Sequence, residues 1–134
     1  MIIHPSGRKL RIYVVDDEPA IASTLAMILC KEGVDATAFT DPLVAVQAVR
    51  GDPPDLLLSD VVMPGLSGIE LAVQVRQSCP DCKVVLFTGQ PTHEDLLDID
   101  RINAYVFSII AKPLHPVNLL RIIRAAVDDS PPAS

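Results

Sequence analysis

The 134-residue sequence has no tryptophan, only two tyrosines and three phenylalanines, and lacks an uninterrupted apolar run of membrane-spanning length. Such a span needs about 18 apolar residues, and Arg121 and Arg124 break even the apolar stretch near the C-terminus. The first ten residues, MIIHPSGRKL, contain no h-region of a secretory signal. Cysteine is scarce as well. Three residues, an odd number, do not make a disulfide framework, so a reducing and therefore cytoplasmic compartment is expected. Basic charge is outweighed, with 11 Lys and Arg against 17 Asp and Glu. The resulting net charge of -6 and pI of about 4.8 exclude the clustered cationic surface of a nucleic-acid binder for this chain alone.

What the sequence does have is aliphatic side chains. Hydrophobic residues are 49% of the chain and aromatics 4%, so the core must be built from Val, Leu, Ile and Ala. A chain of this length buries roughly 68% of the surface that its unfolded form exposes, enough for one core. One domain over residues 10–128 is expected, with tails at 1–9 and 129–134.

Apolar runs of strand length recur at residues 12–15, 34–39, 56–58, 84–87 and 106–111, with helical patterns between them. Four of these runs are nearly continuous, as in parallel strands buried on both faces. In the second, Val34, Ala36 and Phe39 alternate with Asp35, Thr37 and Thr40, which places it at an edge. Pro19 marks a helix to about Lys31 with Gly33 as its stop, and Pro42 opens another that ends near Gly51. Ser67 and Glu70 have capping-box spacing, Thr92 and Asp95 a weaker form of it, and the last helix follows Pro116 and fades near Asp128. Strict alternation predicts a doubly wound α/β fold: five parallel strands in the flavodoxin-like order 2-1-3-4-5, with βα repeated five times. Ligands bind such sheets outside the carboxyl ends of the strands, near the switch between the first and third.

Those carboxyl ends carry Asp16, Asp17 and Glu18 after the first strand, Asp60 after the third, Thr88 after the fourth and Lys112 after the fifth. Crowded carboxylates repel one another unless a cation sits among them. Hard oxygen donors of this kind suit Mg²⁺, which keeps waters that a phosphate can replace. A carboxylate can itself be the nucleophile of phosphoryl transfer, with Lys112 as a point charge and the Thr88 hydroxyl as a donor to the phosphoryl oxygens.

These residues, in the settings VVDDEP, LLLSDVVMPGLSG, VVLFTG and AKP, resemble the receiver domain of bacterial two-component response regulators over about residues 10–128. The resemblance implies that Asp60 is the phosphoacceptor. Asp17 and Asp60 would bind Mg²⁺ directly, Asp16 directly or through water, and the backbone carbonyl of Val62 would add a ligand. It makes Thr88 the switch hydroxyl and Lys112 the phosphoryl-binding lysine, with a cis bond to Pro113. Pro64 and Gly68 match the turn after the phosphoacceptor. The implied donor is a histidine kinase or histidine phosphotransfer protein, and the output is an altered surface for a downstream protein. The chain would be a stand-alone regulator or a receiver from a longer protein.

Two departures from that family stand out. Ile109 occupies the position, three residues before the lysine, where an aromatic is usual, with Tyr105 and Phe107 further back; residues 103–107 replace the usual Gly-Ala. The residues two beyond Asp60 and Thr88, which often tune phosphoryl lifetime in this family, are Val62 and Gln90. An apolar Val62 implies a longer-lived phosphoryl state.

Two other functions compete. One is a phosphorylation-independent protein-binding module of the same fold. The other is an FMN binder, which Asp-Asp-Glu-Pro after the first strand disfavours because it repels phosphate unless a metal intervenes. The Cys79-Pro80-Asp81-Cys82 motif closes a helix rather than opening one, and reads as a turn. Neither His4, His93 nor His115 is placed as a ligand. The apolar surplus of the last helix, including Leu119, Leu120, Ile122, Ile123 and Val127, suits either a partner or homodimer surface or burial under the N-terminal segment.

Overall fold

The computed structural model describes residues 1–89 and 106–128. The described residues hold five strands: β1 (Arg11–Val15), β2 (Asp35–Phe39), β3 (Leu56–Asp60), β4 (Lys83–Thr88) and β5 (Ser108–Ala111). Their helices are α1 (Pro19–Lys31), α2 (Pro42–Gly51), α3 (Gly68–Ser78) and α4 (Pro116–Asp128). All strands pair in parallel, in the order β2-β1-β3-β4-β5. The helix expected after Thr92 lies outside the described residues, as do Gln90, His93 and Tyr105.

The strands alternate their side chains between two apolar layers. Tyr13, Val15, Leu57, Val84 and Leu86 face α2 and α3, meeting Val46, Val49, Leu71 and Val75. Ile12, Val14, Leu58, Val85 and Phe87 face α1 and α4, meeting Leu25, Leu29, Leu119 and Ile123. This is the double burial that continuous apolar strands require. β2 is the exception, with two residues half-buried and three exposed, because it forms one edge.

Local chemistry sets the helix starts. The Asp41 side chain accepts from the Leu43 N–H ahead of Pro42 at the start of α2, and Ser67 accepts from the Glu70 N–H at the start of α3. The Cys79–Cys82 segment is a turn in which the Cys82 N–H donates to the Cys79 carbonyl.

The first nine residues differ from the expected tail. Ile3 pairs antiparallel with Lys9, the Ile2 N–H donates to the Glu32 carbonyl at 2.8 Å, and Ile2 is buried in the layer that holds α4. Leu120, Ile122 and Val127 pack partly buried against that same layer, so much of the surplus apolar surface of α4 is core, and the N-terminal segment lies beside its last turn at Arg124 and Val127. Val117 remains exposed.

Candidate functional site

Four of the five strands, all but the edge strand β2, deliver polar groups to the same rim. Asp16 and Asp17 follow β1, Asp60 ends β3, Thr88 ends β4 and Lys112 follows β5. Because β1 and β4 flank β3, Asp60 stands between the Asp16 and Thr88 positions. Carboxylate oxygens of Asp16, Asp17 and Asp60 all lie within 4.8 Å of one another. Glu18 is not part of this cluster; it is the N-cap of α1, and its backbone N–H donates to Asp16 Oδ1 at 2.9 Å.

The three carboxylates have different surroundings. Asp17 is exposed, whereas Asp16 is completely buried and Asp60 nearly so. Burial raises the Asp16 pKa; the Glu18 N–H works against that shift, and the charge of Asp60 adds to it. Asp60 Oδ1 accepts from the Val62 N–H at 3.2 Å, and Oδ2 accepts from Lys112 Nζ at 3.0 Å. The same ammonium is 4.0 Å from Asp16 Oδ2.

Two buried side-chain oxygens among the described residues have no hydrogen-bond partner: Asp16 Oδ2 and Thr88 Oγ1. Orphaned oxygens cost free energy when buried, and native structures hold few of them. One belongs to the acidic cluster and the other to the neighbouring strand end. A hard divalent cation satisfies the first and an incoming oxyanion the second, so the donor set fits Mg²⁺ beside a phosphoryl group.

The backbone around Asp60 is held closely. Val61 N–H donates to the Phe87 carbonyl at 3.0 Å and Gly68 N–H to the Val61 carbonyl at 2.8 Å, while Gly65 turns the chain with φ of +85°. The Lys112 N–H donates to the Thr88 carbonyl at 2.8 Å, and the Lys112–Pro113 bond is cis, as the resemblance implies.

Other expected features lie elsewhere. Ile109 packs half-buried in the α2/α3 layer, on the sheet face opposite the Phe87 layer. His4 sits 3.9 Å from Asp55, and His115 is exposed at the start of α4. Burial, reinforced by Cys79, pushes the Cys82 thiol up to about 12, which makes it unreactive at neutral pH. Sequence reasoning did not find Phe87, whose ring lies under Lys112 with Nζ 5.2 Å from its centroid. Its place directly before Thr88 was the available signal.

A family model described as "Response regulator receiver domain" matches residues 12–124. The DNA-binding response regulator MtrA of Mycolicibacterium smegmatis is 32% identical over 115 residues, covering 86% of this chain and 49% of that protein. The probable transcriptional regulatory protein TcrX of Mycobacterium tuberculosis is 35% identical over 89 residues, 66% of this chain and 38% of that one. The chain thus spans about half the length, or less, of these relatives. The CheY-like receiver domain protein of Methanospirillum hungatei superposes with a TM-score of 0.83 at 28% identity, covering 90% of this chain and 94% of that one.

Proposed function

The chain belongs to the response regulator receiver domain family, and from that membership we propose that it is a switch controlled by phosphorylation of Asp60. The phosphoryl donor in this reading is a histidine kinase or a histidine phosphotransfer protein. A carboxylate oxygen of Asp60 attacks phosphorus, the P–N bond to the donor imidazole breaks, and the phosphoryl group passes to the aspartate. Lys112 stays close enough to pair with the transferred oxygens, and the Thr88 hydroxyl gains its missing acceptor.

Asp16, Asp17, Asp60 and the Val62 carbonyl would hold Mg²⁺. When bound, the cation would neutralise charge on the phosphoryl oxygens as transfer proceeds. The observation that carries the reading is the pair of buried, partnerless oxygens, Asp16 Oδ2 and Thr88 Oγ1, on the strands either side of Asp60. A site used by neither metal nor phosphoryl would hold these groups at a cost with nothing to offset it.

Output follows if phosphorylation biases two surface states, and a tenfold bias takes about 1.4 kcal/mol of differential stabilisation. MtrA is named as DNA-binding. With a net charge of -6, this chain acts through protein contacts, and any DNA contact belongs to another domain or partner. No helix among the described residues is long and apolar enough to cross a membrane, which is consistent with work in the cytoplasm.

The test is intact mass after incubation with acetyl phosphate, with and without Mg²⁺, for wild type and Asp60→Asn. One phosphoryl group gained only with metal, and lost in the variant, supports the switch. No gain by a folded wild type favours the phosphorylation-independent binding module, for which Ile109 in place of an aromatic is the structural reason.

A further inference from the structure

We propose that Phe87 is a positioning residue for Lys112, its ring forming the platform across which the ammonium reaches Asp60. The rate effect rests on Asp60 being the phosphoacceptor; the placement of the lysine does not. In the sheet register Phe87 is flanked by Asp60 on β3 and Ile110 on β5. Lys112 lies two residues past Ile110, and residues two apart project from the same face of an extended chain. The side chain therefore crosses Phe87 to reach the carboxylate, with Nζ 5.2 Å from the ring centroid and 3.0 Å from Asp60 Oδ2.

The ring is fixed where it matters. Phe87 has no exposed surface, and its carbonyl accepts from the Val61 N–H, directly after Asp60. Lysine is a point charge on a flexible stem, and about 28% of this side chain is solvent-exposed. Asp16 and exposed Asp17 offer other carboxylates nearby. An aromatic face attracts the ammonium through its quadrupole, so it narrows the choice of lysine conformers. An aliphatic residue would fill the volume but supply no such attraction. As the phosphoryl group arrives, the ammonium has only to shift from carboxylate to phosphoryl oxygens while keeping the ring beneath it.

The test compares wild type, Phe87→Leu and Val85→Ala, the last a core truncation on the same strand face away from the site. Carbon–proton NMR reads the ε-methylene of Lys112, and intact mass reads the initial rate of Mg²⁺-dependent phosphorylation by acetyl phosphate. In wild type the ring current should move the Lys112 signal away from those of Lys9 and Lys31. In Phe87→Leu that displacement should vanish and the rate should fall about three- to tenfold, the scale of a partly desolvated cation–π contact. Val85→Ala should melt lower yet keep the displacement and the rate. A wild-type rate in Phe87→Leu, or an equal loss in Val85→Ala, would overturn the proposal. A folded wild type that takes up no phosphoryl group would instead overturn the phosphoacceptor reading. The NMR displacement, present or absent, would still decide the platform.

Discussion

A Cβ atom on Gly68 would lie 2.1 Å from the main-chain carbonyl oxygen of Asp60. The first residue of α3 is therefore pressed against the backbone of Asp60, and no side chain fits between them. Gly68→Ala must push either α3 or the end of β3 aside, at a cost of roughly 1–3 kcal/mol. It is expected to lower the melting temperature and weaken Mg²⁺-dependent stabilisation together. Gly51→Ala, with nothing within 4 Å of the added Cβ, should leave both unchanged or slightly improved. Thermal melts with and without Mg²⁺ distinguish the pair.

Thr88 offers a test in which stability and function move in opposite directions. Its hydroxyl is buried without a partner, so Thr88→Val removes an unsatisfied group and should stabilise the unphosphorylated protein by about 1 kcal/mol. In the proposed switch the same change removes a donor to the phosphoryl group. The stabilisation that acetyl phosphate and Mg²⁺ confer on wild type should shrink in the variant. A variant that is less stable before phosphorylation, with the full gain after it, would show that Thr88 serves only packing.

The sequence made much of this candidate site legible because its residues sit where strand patterns stop. Asp16, Asp60, Thr88 and Lys112 could be placed on one rim without coordinates, since parallel strands with helical crossovers have only one carboxyl edge. Pro42 and the Ser67 cap located their helices through local backbone chemistry. Docking of residues 1–9 was legible only as one of two readings of the surplus on α4, because it depends on Ile2 finding a layer built by α1 and α4 and on Arg8 reaching Asp55. The Gly68 contact and the Phe87 platform were hidden for a related reason: each is an approach between elements whose distance no periodicity encodes.

The far end of the sheet predicts a pH effect. Asp55 accepts two hydrogen bonds from the Arg8 guanidinium, at 2.6 and 2.9 Å, and one from the Arg11 N–H at 2.8 Å. Burial alone would raise its pKa, but these donors together outweigh burial and hold the carboxyl below its ordinary value of 3.8. A depressed carboxylate contributes stability above the unfolded value and loses it as pH falls through the folded value. Asp55→Asn should therefore be less stable than wild type near neutral pH by roughly 1–3 kcal/mol. The gap should close as pH drops below about 4, and melts across that range would show a constant gap if charge were irrelevant.

Val62 predicts the lifetime of the phosphorylated state. Its N–H donates to Asp60 Oδ1 while the residue is 63% exposed, so an apolar group stands beside Asp60 at the solvent boundary, where in the proposed switch it would meet attacking water. Valine has no donor or acceptor with which to orient that water. Val62→Asn supplies both, and should shorten the phosphoryl half-life by about three- to tenfold, short of the 10²–10⁴ that a true general base supplies. The decay is read as loss of the phosphoryl mass after the donor is removed. Because the exposed side chain contributes little to the core, the melting temperature of the unphosphorylated protein should stay where it was. An unchanged half-life would mean that water reaches phosphorus from another side, leaving Val62 as a spacer rather than a brake.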